Sequence, residues 1–295
     1  MAEGMELLPW TFSDVDFFNP AMIDARIFRN ETLERRIECM EELIETLCET
    51  CHDVTPNLNT NFLMRFLRGS SFKTSLAVKR IKRYYACHRK HSDIFELFLP
   101  QTTLRAQSLN HIAALPFRTK DNSVVLIHRL GKFDPNVCSF EELMRLDFLI
   151  FETLLTNPVT QLCGITMICD LKEFSAEKWS EFTPSRIQSI FEIYDRSLTL
   201  RIVAGHILNA PVIMNSLYNL SLNRLDPGLK EKLIFHPTGE WEELHSQIPM
   251  KILPEEYFGT LPSSGLVNLY DLINSNEDYF FELMRYGITP ESEPL

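Results

Sequence analysis

The hydrophobic period of this chain changes once, near residue 100, and that change restricts the folds open to it. Before it, apolar residues recur at helical spacing. Leu33, Ile37, Met40, Leu43, Ile44 and Leu47 mark an amphipathic helix within 31–52. Phe62, Leu63, Phe66 and Leu67 give Thr60–Arg68 a buried face, and Leu76, Ala77, Ile81, Tyr84 and Tyr85 do so for Thr74–His88. Pro100 closes this unit. After it come short, nearly continuous apolar runs: Ser123–His128 (SVVLIH), Gly164–Cys169 (GITMIC) and Arg201–Leu208 (RIVAGHIL). Such runs read as strands covered on both faces. Helical patterns at Phe140–Thr156 and Pro184–Tyr194 separate them, and this alternation predicts a mainly parallel sheet. The expected organisation is an irregular N-terminal arm over residues 1–30, a helical domain over 31–100, an α/β domain over 101–265, and a C-terminal helical segment with a polar tail over 266–295.

Two helical segments are too apolar for a surface position. Phe140–Thr156 is hydrophobic nearly all round, so it is covered on more than one side. One cover is the sheet; the other is a further helix or an empty space. Val212–Leu225 is similar, and it lies between Asn209-Ala-Pro211 and Asp226-Pro-Gly228. Pro suits a first helical turn and Pro-Gly marks a break. A short apolar helix between two breaks can move as a unit, which describes a container with a lid.

Composition excludes several function classes. The net charge of −11 argues against nucleic acid as a partner. Only ten glycines are present, with no G-x-G-x-x-G, no Walker-type loop and no G-x-S-x-G elbow, which weakens nucleotide and hydrolase readings. The N-terminus is acidic and has no signal-peptide pattern. No apolar run reaches the length of a membrane span. A cytoplasmic protein is expected, with free thiols among its seven Cys.

Residues that carry chemistry elsewhere are poorly placed here. Cys48-Glu-Thr-Cys51-His52 matches the haem-attachment string, but it ends a charged helix in which Cys48 and Cys51 are simple i, i+3 neighbours. Neither a cofactor nor a four-ligand metal site is expected. His206, inside a buried strand, reads as a core residue. Lys79-Arg80-Ile-Lys82-Arg83 reads as a solvated face that can also attract an anionic membrane.

The residues bring a family into view. Phe62-Leu-Met-Arg-Phe-Leu-Arg68 with Phe72, then Leu130-Gly-Lys-Phe-Asp-Pro135, Asp170-Leu171, Phe182-Thr-Pro-Ser185, His206 with Asn209-Ala-Pro211, and Ile252-Leu-Pro-Glu-Glu-Tyr257 follow in order. Over about Asn61 to Thr260 the chain resembles the CRAL-TRIO lipid-binding family, and within it the branch of α-tocopherol and retinaldehyde carriers in an invertebrate-type form. The resemblance implies an N-terminal helical domain, then an α/β domain with a lipid pocket between sheet and helices under a gating helix, here Val212–Leu225. It implies a monomeric, non-enzymatic carrier of one small hydrophobic lipid, with transient membrane contact.

Carried over position by position, the resemblance gives a pocket wall of Met144, Asp147, Phe148 and Phe151 on one helix, Ile165 and Met167 on a strand, and Phe174 close by. Ile190, Ile193, Tyr194 and Ile207 continue it, and Val212, Ile213 and Leu217 come from the lid. Tocopherol carriers have small hydroxyl residues at positions 147 and 151, so Asp147 and Phe151 imply a different ligand. A buried carboxylate needs a partner; Arg145, Arg186, a water or a polar ligand group are the candidates. At the positions that are basic in phosphoinositide-binding relatives this chain has Ser70, Arg201, Val203, Gly228 and Lys232. A reduced phosphoinositide site at Arg201 and Lys232, with Lys230 beside them, is the expectation. Phe258 replaces a usual glycine, which suggests a changed turn after Tyr257. The alternatives are an adaptor with a vestigial pocket, whose core would be filled around Phe151 and Tyr194, or an enzyme using Asp147 or a Cys–His pair.

Overall fold

A computed structural model describes Pro9, Arg26 and residues 30–210 and 227–288. The expected arm over 1–30, the lid helix Val212–Leu225 and the last residues of the polar tail therefore lie almost wholly outside the described residues. The described chain begins with helices α1 (Leu33–Thr50), α2 (Thr60–Gly69), α3 (Thr74–Lys90), α4 (Ser92–Phe95) and α5 (Leu104–Ser108), with the short strand β1 (Val54–Thr55) between the first two. Strands β2 (Ile112–Ala114) and β3 (Val124–Arg129) come next, then α6 (Phe140–Leu154), α7 (Pro158–Cys163), β4 (Ile165–Asp170), α8 (Ala176–Ser180), α9 (Pro184–Arg196) and β5 (Ile202–Leu208). After the undescribed segment follow α10 (Pro227–Lys230), β6 (Leu233–Phe235), α11 (Glu242–Gln247), α12 (Leu269–Ser275), α13 (Glu277–Leu283) and β7 (Gly287–Ile288).

The five-stranded sheet has the order β2-β3-β4-β5-β6. β2 runs antiparallel to β3, and the other pairs are parallel. Strand alternation divides its side chains between two faces. Leu126, Ile165, Met167 and Ile207 face a large apolar core shared with α6 and the N-terminal helices. Val125, Ile127, Ile168 and Leu208 face a second core with Trp241, Leu244, Ile248, Leu253 and Tyr257. His206 belongs to this back side: its Nδ1 lies 2.9 Å from Nε2 of His236 on the far edge of the sheet.

Helix boundaries follow local chemistry. Thr32, Asn59, Ser139 and Thr183 each accept a backbone N–H at a helix start. Ser139 with Glu142 forms the S-x-x-E pattern at the start of α6. Gly164 turns α7 into β4 at φ +82, where an added Cβ would sit 2.2 Å from the Arg201 carbonyl oxygen.

The second cover of α6 is protein. Phe148 packs on Phe95 of α4 at 5.6 Å, α5 and α12 flank the same helix, and Arg65 of α2 pairs with its Glu152 at 2.5 Å. One apolar core runs from α1 through α6 to Phe280 on α13. The two ends of the described chain also meet, because Val54 pairs with Ile288 in an antiparallel bridge.

The turn after Tyr257 has an unusual backbone. Phe258 adopts φ 56 and ψ 25, the left-handed conformation that a glycine would take. The phenylalanine is held in the glycine geometry, with its ring 5.0 Å from Trp241.

Candidate functional site

The carboxyl ends of the parallel strands draw the ordered phrases together. Asp170, the last residue of β4, accepts from Asn209 Nδ2 at 2.8 Å and from its own loop at Lys172 N. Its other oxygen accepts from Tyr257 O–H at 3.0 Å. Arg129 at the end of β3 donates to Glu256. Asp170-Leu171, Asn209 and Ile252-Leu-Pro-Glu-Glu-Tyr257 are thus tied together at the strand ends. The crevice beyond strand ends is the usual place for a ligand in an open α/β sheet.

Most of the sequence-predicted wall is packed core. Met144, Phe148, Phe151, Ile165 and Ile193 are buried in the front core, and Met167, Ile190, Tyr194 and Ile207 pack against it half-buried. Phe174 is drawn aside into a cluster with Trp179 and Phe182. Phe151 and Tyr194 meet edge to face at 5.3 Å, and Phe148 lies 5.7 Å from the same tyrosine. These rings occupy much of the space between α6 and α9. Val212, Ile213 and Leu217 lie outside the described residues.

Asp147 is buried, and neither candidate arginine reaches it. Arg145 donates to the carbonyl oxygens of Asp93 and Ile94, and Arg186 pairs with Glu141 and Glu181. Its partners are two histidines that the sequence reading passed over. Asp147 Oδ1 lies 2.8 Å from His111 Nε2, and Oδ2 lies 3.2 Å from His128 Nε2. Burial opposes the charge of Asp147, yet His128 and His111 together hold its carboxyl well below the usual carboxylate range. The signal for these partners lies in pairing: Ile112 stands opposite His128 across the β2–β3 ladder, which sets His111 and His128 on one side of α6.

The thiol of Cys169 shares the front face. Burial, with Asp170 and Asp147 behind it, pushes that thiol up to about 12, so it is not an activated nucleophile. Burial, then His236, brings His206 down to about 4, on the opposite face of the sheet.

A cavity of about 930 Å³ opens along α9. Trp179, Phe182, Ile187, Phe191 and Tyr194 form its apolar side, with Leu198 to Ile202 across from them. Gly228 and Leu229, just after the undescribed segment, also border it. Of the predicted wall, Tyr194 reaches this space. Its rim carries Arg80, Lys90, Arg196, Arg201 and Lys232 beside Glu192 and Asp195. Lys90 and Arg196 both pair with Glu192, at 2.6 and 3.1 Å. Arg201 and Lys232, two of the three expected headgroup contacts, are therefore at the cavity mouth, while Lys230 is exposed on α10.

Comparison with known proteins agrees with this architecture. The α-tocopherol transfer protein-like protein of Homo sapiens is 27% identical over 257 residues, covering 85% of this chain and 74% of that protein. The one from Mus musculus is 28% identical over 259 residues, covering 87% and 74%. Clavesin-1 of Rattus norvegicus is 29% identical over 206 residues, covering 68% of this chain and 57% of that protein. Among solved structures, Sfh5 superposes with a TM-score of 0.53 at 12% identity, covering 84% of this chain and 99% of that one, which shows a shared fold. The model of the CRAL/TRIO domain matches residues 110–259, a span that encloses the sheet, α6, α9, the strand-end knot and all of the cavity lining except Arg80 and Lys90. The chain belongs to the CRAL/TRIO domain family.

Proposed function

We propose that this protein binds one small hydrophobic lipid, of tocopherol-, retinoid- or isoprenoid-like size, and transfers it between membranes through the cytosol. The observation that carries this reading is the 930 Å³ cavity, in which Ile187, Phe191 and Tyr194 of α9 offer apolar surface beside the polar Gln188, Glu192, Asp195 and Arg196. Pockets of this volume suit a single small ligand. An isoprenoid burying roughly 400 Å² would gain about 10 kcal/mol before the cost of immobilisation. The likeness to the α-tocopherol transfer protein-like proteins supports the same class of cargo.

The ligand lies against Ile187, Phe191 and Tyr194 of α9, with Leu198 and Leu200 also lining its space. Arg201, Lys230 and Lys232 present cations to an anionic membrane during exchange. No helix among the described residues is long and apolar enough to cross a membrane, which fits a peripheral contact. The protein acts as a monomeric carrier without catalysis: Asp147 is buried facing two histidines, away from the cavity lining, and the Cys169 thiol stays protonated.

Native mass spectrometry of the full chain from its own tissue, with uptake of a fluorescent polyene lipid and its transfer between vesicles, tests this. One lipid per chain and saturable uptake are expected. Absence of both would refute the carrier reading. The ring contact of Phe151 with Tyr194 favours the second reading, an adaptor with a filled pocket. That reading predicts vesicle binding without any uptake.

A further inference from the structure

We propose that His111, His128 and Asp147 form a site for a divalent transition-metal ion of the zinc class. The three residues come from three elements that the fold fixes against each other. Arg129 N–H donates to the His111 carbonyl at 2.7 Å, which locks the start of β2 onto β3 and sets the two imidazoles side by side, 5.1 Å between centroids. α6 packs across them and delivers Asp147. All three residues are at least nine-tenths buried, and their donor atoms lie within 4.8 Å of one another.

Hydrogen bonding alone leaves this group incomplete. His111 Nε2 is matched to Oδ1, but His128 Nε2 faces Oδ2 without hydrogen-bond geometry. Among the described residues the carboxylate has no guanidinium or ammonium beside it: Arg145, Arg129 and Lys132 are engaged at Ile94, Glu256 and Asn110. A buried carboxylate is held only by its partners, and here those partners are two imidazoles that can themselves ligate a metal. A cation between the three would take a lone pair from each Nε2 and one from the carboxylate, and would supply positive charge.

The spacing suits this. Ligand atoms around a tetrahedral zinc stand about 3.3 Å apart, given bonds of about 2.0–2.1 Å. The His128–Asp147 separation is 3.2 Å, and the His111–Asp147 separation is 2.8 Å. The two distances run to different oxygens of the carboxylate, so one imidazole must shift toward the oxygen that binds, and the donor atoms already lie within 4.8 Å of one another. Two imidazoles and one carboxylate are a donor set for zinc, iron(II) or cobalt(II), and a poor one for calcium or magnesium. Cys169, opposite His128 across the β3–β4 ladder, falls outside the group. The ion would clamp the antiparallel edge of the sheet to α6.

The test uses the full chain, loaded with zinc and freed of excess, without lipid. A negative result therefore leaves the carrier reading untouched. One zinc per chain is expected by elemental analysis, with saturable competition against a chromophoric chelator. Asp147→Asn or His128→Gln should lower the affinity by at least the roughly 100-fold that loss of even a supporting group can cost. Cys48→Ser, which breaks the Cys48–Cys51–His52 string, should leave it unchanged. Where a variant fails to fold, X-ray absorption of the zinc-loaded wild type decides: two imidazoles with only nitrogen and oxygen neighbours supports the site. Sulfur neighbours, loss of zinc in Cys48→Ser, retention in both site variants, or no saturable binding would overturn it.

Discussion

The ion pair of Arg65 and Glu152 gives the sharpest test of how the N-terminal helices hold α6. The two side chains are 2% and 1% exposed, with Nη1 2.5 Å from Oε2. The guanidinium also lies over Phe62, Phe66 and Tyr84, at 4.2, 5.0 and 5.1 Å from the ring centroids. Burial works against the charge of Arg65, and Glu152 overcomes it, leaving the guanidinium more firmly protonated than usual. Arg65→Met strands a carboxylate in the core and should cost about 3–5 kcal/mol. Glu152→Gln strands a guanidinium that keeps its aromatic faces, and a desolvated cation–π contact contributes about 2 kcal/mol. Glu152→Gln should therefore cost about 2 kcal/mol less than Arg65→Met. The double change Arg65→Met with Glu152→Leu removes both charges and should return close to wild-type stability. Urea unfolding followed by circular dichroism, with equal slopes for all four proteins, measures each value. Additive single costs, or a glutamine variant as unstable as the methionine one, would refute this account of the pair.

Three further outcomes follow from the geometry. His88 stacks on Phe95 at 3.8 Å with Nε2 2.8 Å from Ser197 Oγ, and burial, then Arg65 and His91, brings its imidazole from 6.5 to about 3. The unfolded chain takes up that proton first, so stability is full above pH 6.5 and falls toward pH 3, by up to about 1.4 kcal/mol per pH unit. His88→Phe should remove that slope, and an unchanged pH profile would contradict the assignment. An added Cβ at Gly131 would lie 1.6 Å from the Lys172 carbonyl oxygen, so Gly131→Ala should destabilise by about 3 kcal/mol in urea. A near-neutral result would mean the β3 and β4 loops are not in contact. Arg201→Ala with Lys232→Ala should weaken binding to anionic vesicles by about 2 kcal/mol, roughly thirtyfold. Flotation with neutral vesicles should show no change, and equal losses on both would remove these residues from the membrane contact.

The sequence was readable where a pattern runs long enough to repeat. The helices at Leu33–Thr50, Thr60–Gly69 and Thr74–Lys90 and the strands at Val124–Arg129 and Ile165–Asp170 end within two residues of their expected limits. β2 and β6 escaped notice because three residues, Ile112–Ala114 and Leu233–Phe235, carry no period. The histidine partners of Asp147 are invisible for a different reason. His111, His128 and Asp147 are separated in sequence and meet only through the antiparallel ladder and the packing of α6. The apolar girth of α6 was visible, but its cause was not. Periodicity cannot distinguish a ligand from Phe95 or Arg65 as the neighbour of a buried helix. The cavity accordingly lies along α9, with Tyr194 as the link to the expected wall.

The pairing of Val54 with Ile288 bears on how the molecule is made. A contact between such distant segments closes a very long loop, so it forms late and slows folding. During synthesis the first helices emerge early, yet Leu269, Ile273 and Phe280, which complete their shared core, are still in the ribosome. The N-terminal unit must wait, partly covered, for the end of the chain. Its folding should then be one event with that of the sheet, and a ribosome stalled short of α12 would present an open apolar face to chaperones.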